Sequence, residues 1–231
     1  MVVPDACRAQ LYLRRLTVGL EDLATALSRL GVAERDAHAA LEGLARSLAR
    51  ELDSILLPTV ALELAIARQL SLLPGTSPGE RYKSFFATPR GWQPWVRSIL
   101  PRYGFLDEVI GAYVDTTVAA VREALGRLAA DLDDLRHSFL DCGESRLCGV
   151  GLTGGGDRHR KGRKVLWFRF ERGTTVMYKP TDLRTYRLFH RFVRWLDLDP
   201  TRACYLPGVL ARTATGGWSS SRTLAAETSG T

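Results

Sequence analysis

Between Asp107 and Leu140 the apolar residues Val114, Val118, Val121, Leu125, Leu128, Leu132, Leu135 and Phe139 follow one another in alternating steps of four and three. An α-helix brings such positions onto one edge, so the stretch predicts a single long helix with one buried seam. Two partners can cover that seam: the same seam of a second chain in a coiled coil, or other helices of the same chain. The pattern lasts only about four heptads and apolar helical stretches precede it, which favours the intramolecular reading.

Those stretches lie upstream. Leu41, Leu44, Leu48, Leu52 and Ile55 recur every three or four residues, with Arg46, Arg50, Glu51 and Asp53 between them, as one face of an amphipathic helix requires. Pro58 is expected to interrupt this helix, because its ring removes a backbone donor. A second helical stretch, Thr59 to Leu73, then closes at Pro74, Gly75, Pro78 and Gly79, where Ser77 can cap the next. Tyr82, Phe85, Phe86, Trp92, Trp95 and Tyr103 cluster beyond it without the interleaved cations of a base-stacking platform, so they read as the packing of a helix junction. Residues 1–140 are thus expected to form an N-terminal helical bundle.

After Asp141-Cys142-Gly143 the pattern changes. Leu147–Leu152, Lys164–Phe170 and Thr174–Lys179 are short, rich in Val, Phe, Trp and Thr, and separated by glycine-bearing turns, which predicts an antiparallel meander. Leu183 to Leu196 is helical, with Leu188, Phe192, Trp195 and Leu196 on one side and Arg184, Arg187, Arg191 and Arg194 elsewhere. The expected fold class is α+β: a helical bundle (1–140), then a small antiparallel sheet plus helix (141–200), in the strand–loop–strand–strand–helix order that opens a kinase-like N-lobe. Residues 201–231 read as an irregular tail.

Charge changes at the same place. Residues 1–140 carry 16 Lys and Arg against 17 Asp and Glu, and residues 141–231 carry 16 against 8, so the net +7 comes from the second part. A basic region suits phosphates, acidic peptides or nucleic acid equally. The loop between the first two strands is more specific: Gly154, Gly155 and Gly156 let a backbone approach a ligand, and Asp157, His159, Arg160, Lys161 and Arg163 surround that approach with charge. A kinase-like lobe needs such a loop over the triphosphate and a lysine on its third strand. Lys179 stands at the end of that strand, and Gly154 to Gly162 forms the loop. His159 titrates in a range that suits acid or base work, whereas His38, His137 and His190 have no motif around them.

Several ordered segments carry a family resemblance. They are Leu62-Glu63-Leu64-Ala65-Ile66-Ala67-Arg68, Gly75-Thr76-Ser77-Pro78-Gly79-Glu80-Arg81-Tyr82, Gly156-Asp157-Arg158-His159-Arg160-Lys161-Gly162-Arg163-Lys164-Val165, Val176-Met177-Tyr178-Lys179-Pro180 and Phe192-Val193-Arg194-Trp195-Leu196. Over roughly residues 50–210 the chain resembles the dehydratase domain of class II lanthipeptide synthetases, the LanM type. The resemblance implies a lipid-kinase-like fold that uses ATP and Mg²⁺ to phosphorylate Ser and Thr of a ribosomal precursor peptide, then eliminates phosphate to leave dehydroamino acids. It implies Lys179 on the ATP phosphates, Asp157 and His159 in phosphoryl handling or elimination, and Gly155, Gly156 and Gly162 in the covering loop. It implies no metal ligand here, and zinc only in a cyclase domain. Thr181 stands where the family usually has arginine, with Arg184 three residues on.

The residues after Leu196 do not match what the family needs. A phosphotransferase takes its catalytic acid and metal ligands from a second lobe, which is expected to be missing here, together with the cyclase. Thr213 to Arg222 is poor in apolar residues. Read one base earlier with GC-rich codons, it can give a Tyr-Gly-Trp-Xaa-Val-Glu-Phe segment like the family's, so the chain after about Arg212 is expected to be out of frame. The expectation is then an N-terminal dehydratase fragment, inactive alone, with a precursor peptide as partner. The other reading is a non-catalytic basic module that docks an acidic leader peptide or nucleic acid. Cys7, Cys142, Cys148 and Cys204 lack metal-ligand spacing and read as free thiols. No signal peptide or membrane-spanning run is evident, so a cytoplasmic protein is expected.

Overall fold

The computed structural model describes residues 9–86, 89–140, 146–153, 163–196, 207–212 and 216–223. A π-helical turn, Ala9–Leu13, leads into α1 (Arg14–Arg29), followed by α2 (Glu34–Gln69), α3 (Pro78–Phe86), α4 (Pro89–Arg102) and α5 (Gly104–Ser138). Then come β1 (Leu147–Leu152), β2 (Leu166–Phe170), β3 (Thr175–Lys179), α6 (Arg184–Trp195), β4 (Pro207–Arg212) and β5 (Gly216–Thr223). The class is α+β, with helices first and an antiparallel five-stranded sheet after them. Two compact units divide the chain: Met1–Glu21 with Ala45–Asp115, and Asp22–Leu44 with Thr116–Thr231.

In the first unit, Leu48, Leu52, Leu56 and Val60 form one buried row along α2. That row explains why α2 runs on through Pro58, where the sequence leads one to expect an interruption. Proline forfeits one backbone bond, but the apolar stripe continues in register on both sides and holds the helix together. Polar side chains tie this unit at specific points. The Tyr12 hydroxyl donates to Asp53 (3.0 Å) and the Tyr113 hydroxyl to Glu51 (2.5 Å). Glu63 is buried and accepts from Arg102 (2.9 Å to each oxygen) and from the Tyr103 hydroxyl (2.6 Å).

The start of α3 is a reciprocal cap. Ser77 Oγ accepts from the Glu80 backbone N–H (3.1 Å), and the Glu80 carboxylate accepts from the N–H groups of Thr76 and Ser77 (2.7 and 3.2 Å). Those backbone bonds hold the Glu80 carboxyl below the usual carboxylate range. Beyond it, Phe85 makes edge contacts with Phe86 and Trp95, which makes this aromatic cluster helix-junction packing.

In the second unit the predicted seam on α5 is buried at Val118, Val121, Leu125, Leu128 and Leu135. The sheet order is β1-β2-β3-β5-β4, every neighbour antiparallel. Period-two alternation gives it two faces. Val150, Leu166, Phe168, Phe170, Val176, Tyr178 and Trp218 are buried on one. Burying each of these large side chains contributes about 1.5–3 kcal/mol. The opposite face carries Trp167, Met177 and Lys179. There the Trp167 indole lies against Gly151, whose added Cβ would meet it at 2.4 Å. Cys148 on β1 keeps a free thiol, which burial pushes above the usual thiol range.

Residues 207–212 and 216–223 correct the expectation of an irregular tail: they are strands, and β5 is an interior strand between β3 and β4. Backbone pairing explains this where side-chain pattern could not, since Gly217 and Ser219 pair with Lys179 and Met177. Gly216 has φ 138°, and a Cβ there would lie 2.8 Å from the Lys179 carbonyl oxygen. Glycine therefore lets the chain enter the sheet against β3.

Candidate functional site

Lys179 ends β3, on the face with Met177, opposite Gly217 of β5. Pro180, Thr181, Asp182 and Leu183 carry the chain from there into α6. Leu183 is fully buried and packs over Gly217, where an added Cβ would lie 2.8 Å from a Leu183 methyl carbon. This anchors the first turn of α6 beside the lysine. The Lys179 ammonium lies 4.6 Å from the centre of the Tyr186 ring, a cation–π distance.

A protein kinase would place an acidic residue on the helix after the third strand, paired with this lysine. From Arg184 to Leu196 there is no Asp or Glu, and no ion pair to Lys179 occurs among the described residues. Its contact is the neutral face of Tyr186. The nearest acidic residue in sequence, Asp182, is taken by Arg184, whose Nε donates to it at 2.7 Å. That contact holds the Asp182 carboxyl below its usual range.

The other residues expected at the site divide into two groups. Gly154, Gly155, Gly156, Asp157, His159, Arg160, Lys161 and Gly162 lie outside the described residues, and Lys179 and Arg163 are the members of the expected set whose places are given. The residues that flank them are described. The Thr153 N–H and Oγ1 both donate to the Val165 carbonyl at 3.1 Å, extending the β1–β2 pairing past the strand ends.

Arg163, expected among the charges around a phosphate, is committed elsewhere. Its Nε and Nη2 donate to Glu123 of α5 at 2.9 and 2.6 Å, and Arg127 donates to the same carboxylate at 2.7 Å. Burial pushes the Glu123 carboxyl up, but hydrogen bonds from Arg163 and Arg127 outweigh it and hold the group below the usual carboxylate range.

Sequence reasoning missed the acidic residues that hold the buried face of the sheet. Asp131 of α5 accepts from Trp218 Nε1 (2.8 Å) and from Arg212 Nε (2.9 Å), and Arg212 also reaches Asp134. Arg127 stands over the Tyr178 ring, its guanidinium carbon 5.8 Å from the centre. The available signal was the spacing Glu123, Arg127, Asp131 and Asp134 along one side of α5. In the first unit, the two segments 62–68 and 75–82 come together. Leu64, Ala65 and Arg68 face Pro78, Arg81 and Tyr82 around a mostly apolar cavity of ≈ 450 Å³.

Taken chemically, the described part of the site offers one ammonium group at the end of β3, one residue past the Leu166–Tyr178 pair. That suits a phosphate oxygen. Among the described residues no three His, Cys, Asp or Glu side chains converge as metal ligands. A family model described as a domain of unknown function, DUF4135, matches residues 103–220, a span that takes in α5, α6 and most of the sheet. No curated protein matches the chain.

Proposed function

The chain belongs to the DUF4135 family, and from that membership and the geometry around Lys179 we propose that it supplies the nucleotide-gripping half of a kinase-like site of the class II lanthipeptide dehydratase type. The observation that carries the proposal is Lys179 at the end of the third strand, next to the helix that follows. The sheet order β1-β2-β3-β5-β4 sets that strand at its centre. The Thr153–Val165 bonds bring together the described residues on either side of the glycine-rich sequence 154–162, which supports its use as a cover over phosphates.

On this reading the Lys179 ammonium holds ATP phosphate oxygens by charge-assisted hydrogen bonds. Tyr186 orients the lysine through its ring without neutralising it. Asp157 and His159 belong to the covering segment and are proposed for phosphoryl handling or elimination at Ser and Thr of a precursor peptide. Mg²⁺, when bound with ATP, would neutralise phosphate charge, and the described residues supply no ligand set for it. The activity proposed for this chain itself is therefore nucleotide binding.

The test is ATP titration of the whole chain against Lys179→Met, with circular dichroism as a check on folding. A charge-assisted bond lost from a phosphate site weakens binding about tenfold to a hundredfold, and that is the expected result. Equal affinity in both proteins contradicts the proposal. If Lys179→Met leaves ATP or peptide binding unchanged while substitution of Arg187 and Arg191 abolishes binding of an acidic peptide, the basic docking module is the better description.

A further inference from the structure

Helix α6 is amphipathic, yet its apolar side is not buried. At 100° per residue, Tyr186, Leu188, Phe189, Phe192 and Trp195, with Leu196 just beyond the helix, occupy one half of the circumference. Arg184, Arg187 and Arg191 occupy the other half. All nine residues are exposed, Leu188 at 62% and Trp195 at 76%. Phe192 and Trp195 stack on each other, centres 6.1 Å apart, as a pair of rings presented outward. Single exposed apolar residues are ordinary, whereas five on one short helix with a sixth just beyond it mark an interaction surface.

From this surface we infer that α6 binds the interface of an anionic lipid membrane, lying in its plane. Three features select that partner. Aromatic and leucine side chains on one side with arginines on the other, and no acidic residue between Arg184 and Leu196, are the make-up of an interfacial helix. Charge complementarity then requires an anionic surface. The apolar arc is also exposed along the length of the helix, so it can lie along an extended apolar boundary in the plane of the interface. Arginine stems can lie along that boundary with their guanidinium groups at the headgroups, and tryptophan favours the same depth. This differs from crossing a membrane. Among the described residues no helix is long and apolar enough to do that. Tyr186, at the edge of this arc, also faces Lys179, and the variants tested below leave both residues untouched.

The test is flotation of the whole chain with vesicles of phosphatidylcholine alone and of equal parts phosphatidylcholine and phosphatidylglycerol. Flotation is expected only with the anionic vesicles, and it should weaken as salt rises. Neutralising two cations in Arg187→Gln/Arg191→Gln is expected to weaken binding about thirtyfold. Phe192→Ser/Trp195→Ser should weaken it about tenfold or more. Both pairs are exposed, so unchanged circular dichroism is expected and separates lost binding from lost folding. Absence of flotation at low salt overturns the inference, as does flotation that neither variant alters. Self-association that the Phe192→Ser/Trp195→Ser variant abolishes, without vesicle binding, would assign the face to a second copy and also overturn it. So would uptake of an acidic amphipathic peptide through the same residues by a chain that ignores vesicles.

Discussion

Helices α5 and α6 show opposite solutions to one sequence pattern. Each alternates apolar and charged positions at helical spacing. Along α5 the apolar seam is buried at Val118, Val121, Leu125, Leu128 and Leu135, and the acidic Glu123 and Asp131 are bound by Arg163, Arg212 and Trp218. Along α6 the apolar side is exposed and the charges are all cationic. Carboxylates thus hold the buried face of the sheet through α5, while the face with Lys179 meets a helix that brings no acid to it. The comparison teaches that the cations of this basic region are not equivalent. Arg163 and Arg212 are structural ties, whereas Lys179, Arg187 and Arg191 make no ion pair among the described residues.

The largest effect that can break this comparison is at Trp218. It is fully buried, packs against Phe168 and Tyr178, and gives its N–H to Asp131. Trp218→Ala should cost about 3–5 kcal/mol by urea denaturation. A change within about 0.5 kcal/mol, the range of surface substitutions, would mean that β5 is not an interior strand.

A smaller effect comes from pH. Glu123 has a folded-state pKa below its unfolded value, so the folded chain binds fewer protons than the unfolded one in the carboxylate range. Its contribution is fully present above the unfolded pKa, ~4.3, and is lost as pH falls through the folded value. The urea midpoint should therefore drop on acidification, and Glu123→Gln should flatten that drop. An unchanged slope would show that Arg163 and Arg127 do not depend on this carboxylate.

The smallest effect is expected on α6. Phe189→Ser, at a half-exposed position, should change stability by no more than about 0.5 kcal/mol. A loss of several kcal/mol would show that the apolar side of α6 is packed in solution, and the contrast with α5 would disappear.

Much of the fold could be read from residue spacing. The seam from Val114 to Phe139 marked α5, and Ser77 with Glu80 marked the start of α3, because helical periodicity and caps are local signals. Pro58 misled, since proline's cost is local and the row Leu48 to Val60 that overrides it is not. Strand β5 was hidden for a related reason. Gly216, Gly217, Ser219 and Ser220 show no strand-like side chains, and their place depends on pairing with β3 across about 40 residues of chain.

The place of Lys179 was legible from its strand, and the structure returns it at the strand end. The partners of Arg163 and Arg212 were not, because Glu123 and Asp131 look like the solvated side of a helix. The exposure of α6 was equally hidden, since an amphipathic pattern announces an apolar face and leaves open what covers it.

The central claim is that Lys179, and not the other cations near the sheet, grips phosphate. Parallel ATP titrations of the unmodified chain, Lys179→Met and Arg163→Gln, each checked for folding by circular dichroism, test it directly. The account predicts that Lys179→Met loses about tenfold or more in affinity while Arg163→Gln, whose arginine is held by Glu123, stays within about twofold. Loss on Arg163→Gln with Lys179→Met unaffected would contradict it.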